Sequence, residues 1–160
     1  MPIIYKKAVL DEDTVKQLID LSLIWEKEEI TFGLRHNTKE DLEEPCFIAV
    51  DNNKIIGYIF GHYYINDKDL NYGKKGDKCF DVMELYVLPE YRNKGIGKKL
   101  FSILESEVSK ESSYITLSTA TKDYRRILKF YSEEVDMTFH DAFFFKKQNK
   151  FTLQMYYFLF

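Results

Sequence analysis

The chain has 160 residues, 45% of them hydrophobic and 31% charged, and a formal net charge of −3. At about 150 residues per domain this makes a single domain, 1–160, long enough to bury a core. The mildly acidic balance excludes nucleic acid as the main partner, and no apolar run approaches the roughly 20 residues of a membrane span. The two cysteines, Cys46 and Cys79, form no CxxC. They make neither a zinc site nor a disulfide framework and fit a reducing, cytoplasmic compartment. Residues Met1–Lys7 show no apolar stretch or small-residue cleavage site of a secretory signal.

In chain order, residues 3–9 alternate weakly and read as a strand. Asp11 or Asp13 can cap the helix that follows, because a short acidic side chain accepts from the orphan N–H groups of a first turn. Val15, Leu18, Ile19 and Leu23 give that helix its apolar stripe. Residues 25–44 are polar and irregular, with a short helix near Lys39–Glu43. Phe47–Val50 and Ile55–Tyr64 read as strands joined by the turn Asp51-Asn52-Asn53-Lys54. Residues 66–78 hold Gly73, Gly76 and four lysines and read as a loop. Phe80–Leu88 is a strand stopped by Pro89. Ile96, Leu100, Ile103, Leu104 and Val108 mark a helix running to about Ser109. Tyr114–Ser118 is a strand. Tyr124, Ile127, Leu128 and Tyr131 recur on a further helix, and Met137–Phe139 and Ala142–Lys146 close as short strands. The order is mixed α/β.

One stretch carries chemical information: Leu85-Tyr86-Val87-Leu88-Pro89-Glu90-Tyr91-Arg92-Asn93-Lys94-Gly95-Ile96-Gly97-Lys98. A strand enters a short loop, then Arg-x-x-Gly-x-Gly, then an amphipathic helix. Helix N-termini present unpaired N–H groups and a partial positive charge, so they hold phosphate. Gly95 and Gly97 let backbone close on an anion, and Arg92 and Lys98 can add charge. Leu100 stands where a dinucleotide fingerprint needs its third glycine, and Lys99 where a Walker loop needs Ser or Thr.

This stretch, with the element order over about residues 3–147, resembles the GNAT superfamily of acyl-CoA N-acyltransferases. The resemblance implies a GNAT α/β fold, a mixed central sheet of about six to seven strands with flanking helices. It implies acetyl-CoA as co-substrate, its pyrophosphate held by Arg92, Asn93, Lys94, Gly95, Ile96, Gly97 and Lys98. It also implies a splay between Asp81–Leu88 and Tyr114–Ser118, with the pantetheine arm paired to backbone at Leu85, Tyr86 and Val87. Thr119, Tyr124 and Tyr131 complete the implied cofactor contacts. An N–H on the splayed strand can polarise the thioester carbonyl. The later family pattern is only partly kept. Phe130-Tyr131 matches its Phe-Tyr, while Tyr124 and Ile127 stand in the asparagine and alanine positions, and Asp136-Met137 replaces Gly-Phe.

By the same resemblance Tyr131 occupies the general-acid position; its neutral phenol can protonate a departing thiolate. The bland alternative is a core aromatic on the Tyr124/Ile127/Leu128 face. Asp81 and Glu84 lie on the strand beside the thioester as candidate bases, and one residue of bulge decides which faces the cleft. Water-mediated deprotonation is the alternative. Residues 26–44 carry seven acids against three bases, a bias that attracts a cationic amine or is a solvated face. Trp25, Phe32 and His36 are candidates to line that pocket. His62 and His140 sit in strand patterns without a carboxylate at ligand spacing, so no metal is expected.

The expected activity is acetyl transfer from acetyl-CoA to a primary amine of a small molecule or peptide, by direct attack in a ternary complex. An acyl-CoA-binding sensor without turnover is the alternative reading. Residues 151–160 are apolar and β-prone, and are expected to add a strand to their own sheet or to a homodimer partner's.

Overall fold

The computed structural model describes residues 2–140. Strand β1 (Ile4–Lys7) is followed by helix α1 (Glu12–Glu28). Asp11 caps α1, its carboxylate accepting from the Thr14 N–H at 2.8 Å. Val15, Leu18, Leu21 and Ser22 form its buried face, so the stripe is rotated from the expected one, with Ile19 and Leu23 half-buried. A single 3₁₀ turn (Lys39–Asp41) takes the place of the short helix expected there. Strands β2 (Cys46–Asp51) and β3 (Lys54–Ile65) make a hairpin whose turn uses Asn52 and Asn53 at positive φ. Strand β4 (Lys78–Val87) leads through a Pro89–Tyr91 turn to helix α2 (Ile96–Val108). Strand β5 (Tyr114–Leu117) and helix α3 (Tyr124–Lys129) complete the regular elements, and α3 runs on into a π-turn over Phe130–Glu134.

The sheet order is β1-β2-β3-β4-β5, antiparallel except for the parallel β4–β5 pair. Five strands are described, not six to seven. Met137–Phe139, expected to be a strand, carries no ladder bonds. The expected strand Ala142–Lys146 and the 151–160 tail lie outside the described residues.

The helices flank the sheet on opposite faces. The Trp25 ring of α1 stacks on Tyr86 at 5.1 Å, whereas Gly97 of α2 sits beside Val87, the next residue of β4 and hence on the other face. Ile96, Leu100, Phe101, Leu104 and Val108 are the buried residues of α2 and share one hydrophobic cluster with Ile56, Ile59, Val82 and Leu88. These side chains form one continuous core; deleting a fully buried leucine such as Leu104 would cost about 2–5 kcal/mol.

One irregularity shapes everything downstream. In the β3–β4 ladder Phe60 pairs with Glu84 and Gly61 with Val82, so Met83 is an extra, bulged residue. The bulge draws the strands together at Gly61, where a Cβ would lie only 2.0 Å from the Asp81 carbonyl oxygen. Only glycine fits that approach.

Candidate functional site

The parallel β4–β5 pairing ends at Val82 and Leu117. From there the strands diverge, and Met83–Val87 run on with no partner on the β5 side among the described residues. A cleft of about 490 Å³ opens between them. Leu85, Tyr86 and Val87 form one wall, and Leu117, Ser118 and Thr119 form the other. Ile127, Phe130 and Tyr131 close it from the α3 side. A short antiparallel contact ties its rim: Phe32 N–H donates to Ala120 O at 2.9 Å and Lys122 N–H to Ile30 O at 2.7 Å.

At one end the cleft meets the N-terminus of α2. Gly95, the N-cap, has φ +77°, a backbone conformation that an L side chain rarely adopts. Asn93, Ile96, Gly97 and Lys98 line this end together with Lys129. The first-turn N–H groups, with no capping side chain, point their partial positive charge here. A Cβ on Gly97 would meet only ordinary contacts, the closest the Phe130 ring at 3.5 Å. The fold itself therefore does not demand glycine at this position.

Arg92, expected to add charge to that loop, is committed elsewhere. Its Nη1 and Nη2 donate to the Glu28 carboxylate at 2.8 and 2.7 Å, and its Nε donates to Val87 O at 2.8 Å. Tyr86 donates its hydroxyl to the same carboxylate at 2.6 Å. Burial pushes Glu28 up, but the bonds from Arg92 and Tyr86 outweigh it and hold the carboxyl below its ordinary pKa. Arg92 still borders the cleft, whereas Lys94 stands outside its lining; the Lys94 ammonium caps Glu90 O at 2.9 Å and lies over the Tyr91 ring. Tyr124 is half exposed and does not line the cleft. Arg126, on the turn that follows, does line it but is paired with Asp123.

At the other end stands Glu84. Its Oε2 accepts from the Tyr58 hydroxyl at 2.7 Å and from Asn37 Nδ2 at 2.9 Å. Burial pushes its pKa up, and the two hydrogen bonds oppose that shift. Asp81 is placed differently. The bulge leaves Asp81 and Glu84 on one face, since their ladder partners His62 and Phe60 are two residues apart. The bulge therefore does not choose between the carboxylates; distance along the strand does. Asp81 accepts from Thr116 Oγ1 at 2.7 Å and is not part of the cleft wall.

Tyr131 lines the cleft and packs edge-on against Phe101 and Phe130. Burial pushes its phenol up to about 12. Both readings of this residue thus meet in one side chain, an aromatic packed on the core that also borders the cleft. Among the residues expected to shape the acceptor pocket, Trp25 borders the cleft. His36 instead pairs with Glu26 at 2.8 Å, and Phe32 lies under the Lys122 ammonium on the rim. Among the described residues no group of three His, Cys, Asp or Glu side chains could hold a metal, and no helix is long and apolar enough to cross a membrane.

Asn37, Tyr58 and Glu28 escaped the sequence reading. Asn37 and Glu28 lie 47 and 58 residues from the strand side chains they bind, a separation with no local signature. Tyr58 left one trace, a phenol in the middle of the apolar run Ile55–Phe60, which calls for a buried partner.

A mixed sheet that splays beside a glycine-rich helix N-terminus defines the architecture of acyl-CoA-dependent acyltransferases. The model of the Acetyltransferase (GNAT) family matches residues 13–136. The chain belongs to this family of acetyltransferase enzymes. No curated protein matches it in sequence. Solved structures show the same fold. An aminoglycoside acetyltransferase from an uncultured soil metagenomic sample, solved with trehalose, superposes with TM-score 0.65 at 18% identity, covering 92% of this chain and 97% of its own. A protein from Clostridium acetobutylicum described as a predicted acetyltransferase, solved with acetyl-CoA, gives TM-score 0.63 at 21% identity, covering 94% of this chain and 98% of its own. A protein from Pyrococcus furiosus described as a putative acetyl transferase gives 0.66 at 15%, covering 92% and 100%.

Proposed function

We propose that the chain transfers an acetyl group from acetyl-CoA to a primary amine by direct attack within a ternary complex. The observation that carries this reading is the cleft itself, which runs from the α2 N-terminus along the unpaired edge of β4 to Glu84. Pyrophosphate fits the α2 end, where the N–H groups carry no side-chain cap and Lys98 and Lys129 are among the cleft-lining residues. The pantetheine arm then lies along Leu85–Val87, and a backbone N–H of that edge polarises the thioester carbonyl.

Glu84 takes a proton from the acceptor ammonium, leaving its electron pair on nitrogen to attack the thioester carbon. The tetrahedral intermediate collapses with cleavage of the C–S bond, and Tyr131 protonates the thiolate. The phenolate recovers its proton from the amide nitrogen, directly or through water, and Glu84 returns its own to solvent. A phenol pushed up to about 12 stays neutral across the working pH range, as a general acid must. The half-buried Glu84 carboxylate, with no ion pair among the described residues, favours turnover over an acyl-CoA sensor, because sensing needs no base beside the thioester.

Calorimetric titration with acetyl-CoA, with dephospho-CoA and pantetheine as controls, tests the first half. Micromolar binding that is lost with pantetheine supports the placement, and absence of binding overturns it. CoA thiol release across a panel of primary amines tests the second half; tight binding without turnover on any amine favours the sensor.

A further inference from the structure

We propose that Asn37 and Tyr58 are positioning residues that tie down one oxygen of Glu84, so that its other oxygen, Oε1, is the atom presented to the acceptor amine. The inference rests on Glu84 being the base and says what makes it one. Both donors converge on Oε2, at 2.9 and 2.7 Å, and Oε1 has no hydrogen-bond partner among the described residues. A carboxylate can only accept, so the Asn37 amide must turn its NH₂ toward it.

Asn37 is itself fixed. It is buried at 5% exposure, and its backbone N–H donates to Ser22 Oγ at 2.8 Å, while that hydroxyl donates back to Ile19 O. The loop after α1 is thus pinned to the helix so that one amide reaches β4. Tyr58 is fully buried in β3, its ring stacked on Phe60 and tilted against Tyr86. Neither donor carries charge, so neither neutralises the carboxylate that attracts an ammonium.

The other groups facing it are Tyr86 on its own strand, Cys46 on β2, and Arg35 and Asp41 from the loop. The last two pair with each other at 2.7 Å and act on Glu84 only through space, in opposite senses. Two neutral donors stabilise the carboxylate over the carboxylic acid, so removing either one shifts the titration of Glu84 upward.

The test uses the full chain labelled with ¹³C at the glutamate carboxyl carbon. The Glu84 signal is assigned by its absence in Glu84→Gln, and its pH titration is followed by NMR in wild type, Asn37→Leu and Tyr58→Phe. Tyr58→Phe is isosteric and guards against a folding failure of the loop variant. Both midpoints are expected to move upward. With acetyl-CoA and whichever panel amine is turned over, kcat/KM near neutral pH should fall about tenfold and recover as pH rises. Unmoved midpoints in both variants would overturn the positioning role. Wild-type transfer by Glu84→Gln would instead overturn the base reading, while the NMR midpoints would still report whether the two donors hold the carboxylate.

Discussion

The guanidinium of Arg92 and the carboxylate of Glu28 meet in a two-toothed ion pair at 2.7 and 2.8 Å, across 64 residues of chain. The pair fastens the last turn of α1, with Trp25 one turn earlier, to the end of β4 where the glycine-rich loop begins. The motif arginine therefore holds α1 to the end of β4 beside the cleft.

Breaking this pair should loosen α1 rather than simply weaken cofactor binding. Both side chains are mostly buried, at 22% and 17% exposure, so removing one partner leaves a poorly solvated charge. Arg92→Met and Glu28→Gln should each cost about 2–3 kcal/mol in urea unfolding, with the double variant much less than additive. Trp25 is the single tryptophan and stacks on Tyr86, so its emission should change alike in both variants. Because the folded state holds Glu28 below its ordinary pKa, the folded chain binds that proton less readily than the unfolded chain. The stabilisation is therefore present above the ordinary carboxylate range and lost as pH falls through the folded value, visible as acid unfolding that Glu28→Gln blunts.

Gly97 separates the needs of the fold from those of the ligand. Its Cβ space is open at 3.5 Å, and it sits in the first turn of α2. Gly97→Ala should leave Tm unchanged or raise it, since alanine favours helix by up to about 1 kcal/mol. If the α2 N-terminus holds pyrophosphate, the same change should weaken acetyl-CoA binding about tenfold or more in calorimetry, because a methyl group stands where the phosphate must approach.

Tyr131→Phe removes a hydroxyl that bonds no described residue while keeping both edge-on ring contacts. Stability and acetyl-CoA affinity should hold, and kcat should fall by about 10²-fold. With the phenol pushed up to about 12, the wild-type rate should show no alkaline loss from this group below pH ~10. Equal rates for wild type and variant would assign Tyr131 to packing alone.

Glu84→Gln should trade activity for stability. The folded state raises the pKa of Glu84, so it binds that proton more tightly than the unfolded chain. Its contribution to stability is therefore greatest at low pH and declines as pH rises through the folded value. Glutamine imitates the protonated form. Thermal melts should show the variant more stable than wild type at neutral pH, the two converging in acid, while acetyl transfer collapses.

Element order and the glycine-rich loop before α2 were legible because they are written locally. Helix caps, glycines at positive φ and apolar periodicity act over a few residues, and Asp11, Gly95 and the buried face of α2 sit where those rules put them. Family resemblance supplied the cleft between β4 and β5. It could not say that Arg92 would turn away to Glu28, because a guanidinium chooses among acceptors only once a fold assembles them. Nor could it separate Asp81 from Glu84. The Met83 bulge, which the close approach at Gly61 permits, leaves both carboxylates on one face, and only Glu84 lies far enough along β4 to line the cleft. Local sequence thus determined the elements and the glycine-flanked N-terminus of α2 that opens on the cleft. The charge state and aim of each candidate catalytic group were decided by tertiary packing, because pKa and orientation depend on burial and on donors such as Asn37 and Tyr58 that are distant in sequence.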